Sequence, residues 1–156
     1  MRKLNGNQID IDLFLKPYLI FSGGIGDHFL ALPTIRALSI IFRGRLSLIC
    51  EEYSFARDIF CEVEFEKIID IRFYEDCTGR HFDSQSLKSK IHDCDFLISL
   101  NLWVRDLDII ELLNLPALKS STGFDECFEI KVPFNFDKHN FNLNFDIVRA
   151  LDKTII

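Results

Sequence analysis

Gly23, Gly24, Gly26, Asp27 and His28 follow the apolar run Tyr18 to Phe21 and precede a helical pattern, so a carboxylate and an imidazole stand at the mouth of a glycine turn. Two chemistries suit such a place. Backbone N–H groups at a helix N-terminus, with the partial positive charge there, bind phosphate or nucleotide. A carboxylate in the capping position would already fill that anion site and repel a docked phosphate. The second chemistry makes Asp27 itself the reactive group, a general base held by the turn. A third reading leaves Asp27 as a helix N-cap and nothing more. The glycines are expected to supply a tight turn with positive φ.

Other candidates cluster by the rule that ligands of open parallel sheets bind beyond the carboxyl ends of the strands. Gly24 and Gly26 after the first strand qualify, as do Glu51 and Glu52 after the second. Asn101, Trp103 and Arg105 follow a later strand and offer an amide, a flat ring and a guanidinium, a set suited to a phosphorylated sugar. The bland alternative has Trp103 partly buried and Arg105 paired with Asp106 or Asp108 on its own helix. His28 is adjacent to Asp27, and neighbours on a helix point about 100° apart, so a substrate contact suits it better than a proton relay. His81, His92 and His139 are scattered among polar neighbours and are expected at the surface. Cys50, Cys61, Cys77, Cys94 and Cys127 show no CxxC spacing and read as free thiols; no metal site and no cofactor are expected.

The elements that must position these groups alternate, which predicts a parallel sheet with helices on its faces. Strands are expected at 18–22, 46–50, 67–71 and 95–100, with helices at 27–42, 52–60, 84–92 and 104–114. Pro33 inside the first helical pattern predicts a kink, or a regular helix starting near it. Residues 73–83 read as a loop. Short strands at 119–124 and 128–132 flank an acidic turn at Asp125 and Glu126, and 133–140 reads as a loop. A final amphipathic helix over 141–151 carries Phe141, Phe145, Val148 and Leu151 at helical spacing.

Gly26-Asp27, an apolar segment, Pro33, then Arg36-Ala37-Leu38 and a basic stretch before the next strand resemble the N-terminal signature of glycosyltransferase family 9, which includes the lipopolysaccharide heptosyltransferases. Residues 44–71 and 94–115 continue the likeness, which covers about 18–151. The resemblance implies a Rossmann-like α/β domain corresponding to the N-terminal, acceptor-side half of a two-domain GT-B enzyme. It implies inverting sugar transfer with Asp27 as base, Gly24, Gly26, His28, Asn101, Trp103 and Arg105 around the substrate, and a nucleotide sugar as co-substrate. On that reading 1–16 is an N-terminal extension, 17–152 the domain, 153–156 an interrupted linker, and the donor-binding half is missing. Partners would be a sugar or lipid-linked glycan acceptor and, through the missing half, the donor.

Composition bounds the alternatives. At 156 residues the chain fits one domain able to bury a respectable core. Hydrophobic residues make up 48% and charged residues 27%, a globular balance. A net charge of −6 without a basic stripe argues against a nucleic-acid binder. No apolar run is long enough to span a bilayer and residues 1–16 show no signal peptide, so a cytoplasmic protein is expected, at most at the inner membrane face. Two further classes stay open. Gly24-Ile25-Gly26 with Glu51 suggests a dinucleotide-binding module, although Phe29 takes the third glycine position. A lone half with an exposed apolar face suggests an interaction module that self-associates or meets a partner chain.

Overall fold

A computed structural model describes residues 9–101 and 106–152. In chain order the elements are β1 (Pro17–Phe21), α1 (Ile25–Ile41), β2 (Ser47–Glu51), α2 (Ala56–Ile59), β3 (Ile68–Ile71), β4 (Phe73–Asp76), β5 (Gly79–Phe82), α3 (Ser84–Lys90), β6 (Phe96–Ser99), α4 (Asp106–Leu113), β7 (Ser120–Gly123), β8 (Ile130–Lys131) and α5 (Asn140–Leu151). Six strands form one sheet in the order β3-β2-β1-β6-β7-β8, and every pairing in it is parallel. That is the doubly wound Rossmann order, with its switch point between β1 and β6.

The strands are apolar at consecutive positions because both faces of the sheet are covered. Leu19, Phe21, Leu48, Phe96 and Ile98 pack under α1 and α5, against Ile35, Leu38, Ile147 and Leu151. Their neighbours Tyr18, Ile20, Ile49 and Leu97 face the other way, against Leu87 and Ile91 around α3 and Ile109 and Leu112 of α4. Burying one such aliphatic side chain is worth about 1.5–3 kcal/mol. The segment before β1 joins the first core: Phe14 stacks on Phe96 at 4.4 Å, and the buried Asp95 carboxylate accepts the N–H groups of Leu15 and Lys16 at 2.8 and 2.9 Å.

Several expectations need correction. The stretch 73–83 is a loop only in part: β4 and β5 form an antiparallel hairpin outside the main sheet, turning at Cys77 and Thr78 with Gly79 at φ 130°. Helix α1 begins at Ile25 and runs through Pro33, whose missing N–H forfeits the bond to the Phe29 carbonyl. β7 and β8 pair in parallel across the acidic turn at 125–126, with the Phe128 ring filling the space where a Gly123 side chain would sit. The buried stripe of α5 is Leu143, Asn144, Ile147, Val148 and Leu151, rotated from the expected one, so Phe141 is exposed. Among the described residues no helix is long and apolar enough to cross a membrane.

Candidate functional site

The turn after β1 is built by Asp27. The N-cap of α1 is Gly24, not Asp27; Asp27 sits at the third helical position and reaches back, its Oδ2 accepting the Gly24 N–H at 2.9 Å. This is the acidic arm of a capping box, and a carboxylate in the first turn also complements the helix dipole. No hydrogen bond among the described residues engages Oδ1, so one oxygen is anchored and the other is left for chemistry. The carboxylate is half-buried and lines a small cleft with Ser22, Phe21, Leu30 and Leu100, closed on the far side by Asn140 and Asn144 of α5. The cleft lies beyond the carboxyl ends of β1 and β6, at the switch point.

Gly23 serves space, and none of the three glycines serves positive φ. Gly24 has φ −71°, and the described glycines with positive φ are Gly44 and Gly79, both elsewhere. A Cβ on Gly23 would stand 2.7 Å from Asp27 Cβ and 2.9 Å from Oδ2, so Gly23→Ala must push the carboxylate off its cap. A Cβ on Gly24 would sit 3.6 Å from Oδ2, in ordinary contact, and one on Gly26 would meet nothing within 4 Å. Gly26→Ala is therefore expected to raise stability by about 0.5–1 kcal/mol, the usual gain for alanine in a helix, while Gly23→Ala lowers it. Thermal melts of the two variants check the contrast. Both melting above the parent would mean that Asp27 is not held as described.

His28 does not face the cleft. Its ring is wholly buried, stacked on Phe60 at 5.5 Å and edge-on to Phe21 at 5.0 Å. Nδ1 lies 2.7 Å from the Gly24 carbonyl, which only accepts, so Nδ1 carries the proton. His28 thus braces the turn from beneath, and its buried Nε2 has no partner among the described residues. Asn101 is likewise drawn inward: its Oδ1 accepts the Ser22 N–H at 2.7 Å, latching the end of β6 to that of β1, while Nδ2 is buried with no partner among the described residues. Trp103 and Arg105 lie outside the described residues.

Glu51, the ribose-binding candidate of a dinucleotide site, is paired with Arg80 of β5. His81 is buried rather than at the surface. Its Nδ1 lies 3.1 Å from Asp108 of α4, and its Nε2 lies 2.9 Å from Thr78 Oγ1 and 3.2 Å from Asp76, so it clips the hairpin to α4. The two hydrogen bonds from Thr78, with His81 adding to them, hold the Asp76 carboxyl below its usual range. Burial pushes the Cys50 thiol up to about 12 and that of Cys94 up as well, which makes both inert packing groups. Among the described residues no disulfide joins the cysteines, and no group of three or more His, Cys, Asp or Glu is placed to hold a metal.

Asn140 and Asn144 had no place among the sequence candidates. The one signal in the sequence was an asparagine among Leu143, Ile147, Val148 and Leu151 on an otherwise apolar stripe.

The fold has a counterpart among solved structures. A glycosyl transferase family 9 structure from Veillonella parvula DSM 2008 superposes with a TM-score of 0.63 at 15% sequence identity. The match covers 94% of this chain and 43% of that one, so the chain spans less than half the length of the structure it resembles. No protein-family model matches the sequence, and no curated protein matches it either. The class defined here is a Rossmann-like α/β domain with a glycosyltransferase-like fold.

Proposed function

We propose that this chain is the acceptor-side half of an inverting family 9 glycosyltransferase, heptosyltransferase-like and of GT-B arrangement. It would act on a sugar or lipid-linked glycan acceptor at the inner face of a membrane, in lipopolysaccharide biosynthesis. The observation that carries the reading is Asp27: a carboxylate held by the Gly24 N–H through one oxygen, lining the cleft at the sheet's switch point. An acceptor hydroxyl is a poor nucleophile until its proton is taken. Asp27 Oδ1 would receive that proton as the hydroxyl oxygen bonds to the anomeric carbon, while the bond from that carbon to the diphosphate breaks on the opposite face. The negative charge leaving with the nucleotide diphosphate calls for cations or helix N-termini facing it, which a donor-binding half would supply.

Two outcomes follow for the 156-residue chain. Incubated alone with nucleotide sugar and acceptor it is expected to transfer nothing, and joined to a donor-binding half it is expected to transfer sugar. Robust transfer by the chain alone would overturn the division of labour. Titration with NAD, followed by fluorescence of the single tryptophan, is expected to give no saturable change. A saturable response would favour a dinucleotide-binding module despite the Glu51–Arg80 pair.

A further inference from the structure

We infer that the first turn of α5, His139 to Asn142, is a gate over Asp27: shut in this structure, it swings out about Leu143 to admit what the carboxylate acts on. The motion belongs to the fold itself. That the gate admits an acceptor rests on the reading of Asp27 as the base.

Room is the first argument. The cleft beside Asp27 has about 30 Å³ free, space for a water or two. A hydroxyl giving up its proton must come within about 2.6–3.2 Å of the carboxylate, bringing the carbon that carries it and the anomeric carbon it attacks. That group does not fit the closed cleft, so one wall has to move.

The walls are not equally fixed. Phe21 and Leu100 stand at the ends of the paired strands β1 and β6, and the Ser22 N–H between them is latched to Asn101. Leu30 belongs to α1, whose start is closed by the bond between Asp27 and Gly24 and braced by the buried His28. The turn that bears Asn140 has no such ties. Residues 139–142 are all exposed, and α5 first reaches the core at Leu143. Its cap is a His139 ring nitrogen 3.3 Å from the Phe141 N–H, and no acidic side chain in the first turn meets the helix dipole.

The loop before it is equally loose. The Val132 N–H donates to the Gly123 carbonyl, and Phe134 rests edge-on against Phe124. From there on, the hydrogen bonds of 134–142 among the described residues run within that segment or along α5. Its ion pair is Lys138 with Asp146, at 2.6 Å. Lys138 is thus the strap that keeps the turn shut.

Carbodiimide coupling of a small amine to the carboxylates of the 156-residue chain, read by mass spectrometry, reports the gate through the rate at Asp27, with the exposed Glu52 as reference. Lys138→Ala cuts the strap and is expected to speed labelling of Asp27 about twofold, the scale of an exposed ion pair, with Glu52 unchanged. His139→Asp supplies a stronger cap and is expected to slow it about threefold. Hydrogen exchange follows the turn itself, through the Leu143 N–H that donates to the His139 carbonyl at 3.1 Å. That amide is expected to exchange at least about tenfold faster than the amide of Val148 in the core, and to move with the two variants in the same direction as Asp27 labelling. Exchange that moved with the variants while Asp27 labelling stayed fixed would reveal a fraying end that covers nothing, and would overturn the inference. A Leu143 amide as protected as that of Val148 would overturn it too. Failure of the base reading looks different: full sugar transfer by Asp27→Asn, in the chain joined to a donor-binding half, would sink the base and leave the gate standing.

Discussion

Asp27→Asn, in the chain joined to a donor-binding half, is expected to lower sugar transfer by about 10²–10⁴-fold, the usual contribution of a positioned general base, with Tm nearly unchanged. The asparagine is chosen because it preserves everything about Asp27 except its basicity. Its amide oxygen can still accept the Gly24 N–H at 2.9 Å, so the start of α1 stays closed. Its nitrogen carries hydrogens and cannot take another proton. Asp27→Ala would remove base and cap together, and loss of a capping group by itself costs about 0.5–2 kcal/mol. Comparing the two variants therefore separates chemistry from folding. If Asp27→Asn kept its rate within tenfold of the parent, the carboxylate would be a cap and nothing else.

The largest expected effect on stability falls at the opposite end of the sheet. Asp95 precedes β6, is almost wholly buried, accepts two backbone N–H groups from Leu15 and Lys16, and has the Lys119 ammonium at 3.7 Å. Hydrogen bonds to a charged group contribute about 1.5–3 kcal/mol each, and removing the carboxylate leaves both donors without it. Asp95→Ala is expected to cost about 3 kcal/mol, seen in urea titration as a lower midpoint with an unchanged slope. In a domain of this size that corresponds to about 6–12 °C in Tm. Asp95→Asn, which keeps oxygen but not charge, should fall between the two. A loss under about 1 kcal/mol for the alanine variant would mean that segment 15–16 is held by Phe14 stacking on Phe96 rather than by Asp95.

β1, β2, β3 and β6 were readable because they are short, mostly apolar runs, and their alternation with helices pointed to parallel pairing. The β4–β5 hairpin was not. Its sequence, Phe73 to Phe82, is mostly polar, and it is held by Asp76, Thr78, His81 and Asp108, partners that composition does not reveal. Asp27 was legible as a group of interest because it follows a glycine-rich turn after an apolar strand, although Gly23 alone of those glycines leaves space that Asp27 needs. Its rank in the helix was not, since Gly24, Gly26 and Asp27 all suit a cap and only the bond from the Gly24 N–H decides. His28 and Asn101 look like ligand contacts in the sequence and are braces in the fold, because burial is a tertiary fact. Asn140 and Asn144 escaped for the same reason: their partner in the cleft lies more than a hundred positions earlier.

That separation bears on how the molecule comes into being. On the ribosome, β1, α1 and β2 emerge together and can pair early, whereas the latch from Ser22 to Asn101 must wait for 79 further residues. The cleft waits longer still, until the last helix is made. A nascent chain halted before Asn140 would carry its acid on a naked shelf, with Ile35 and Leu38 of the early helix uncovered and open to chaperones or aggregation. Synthesis to the last turn, rather than any single bond, is what turns the early carboxylate into part of a pocket.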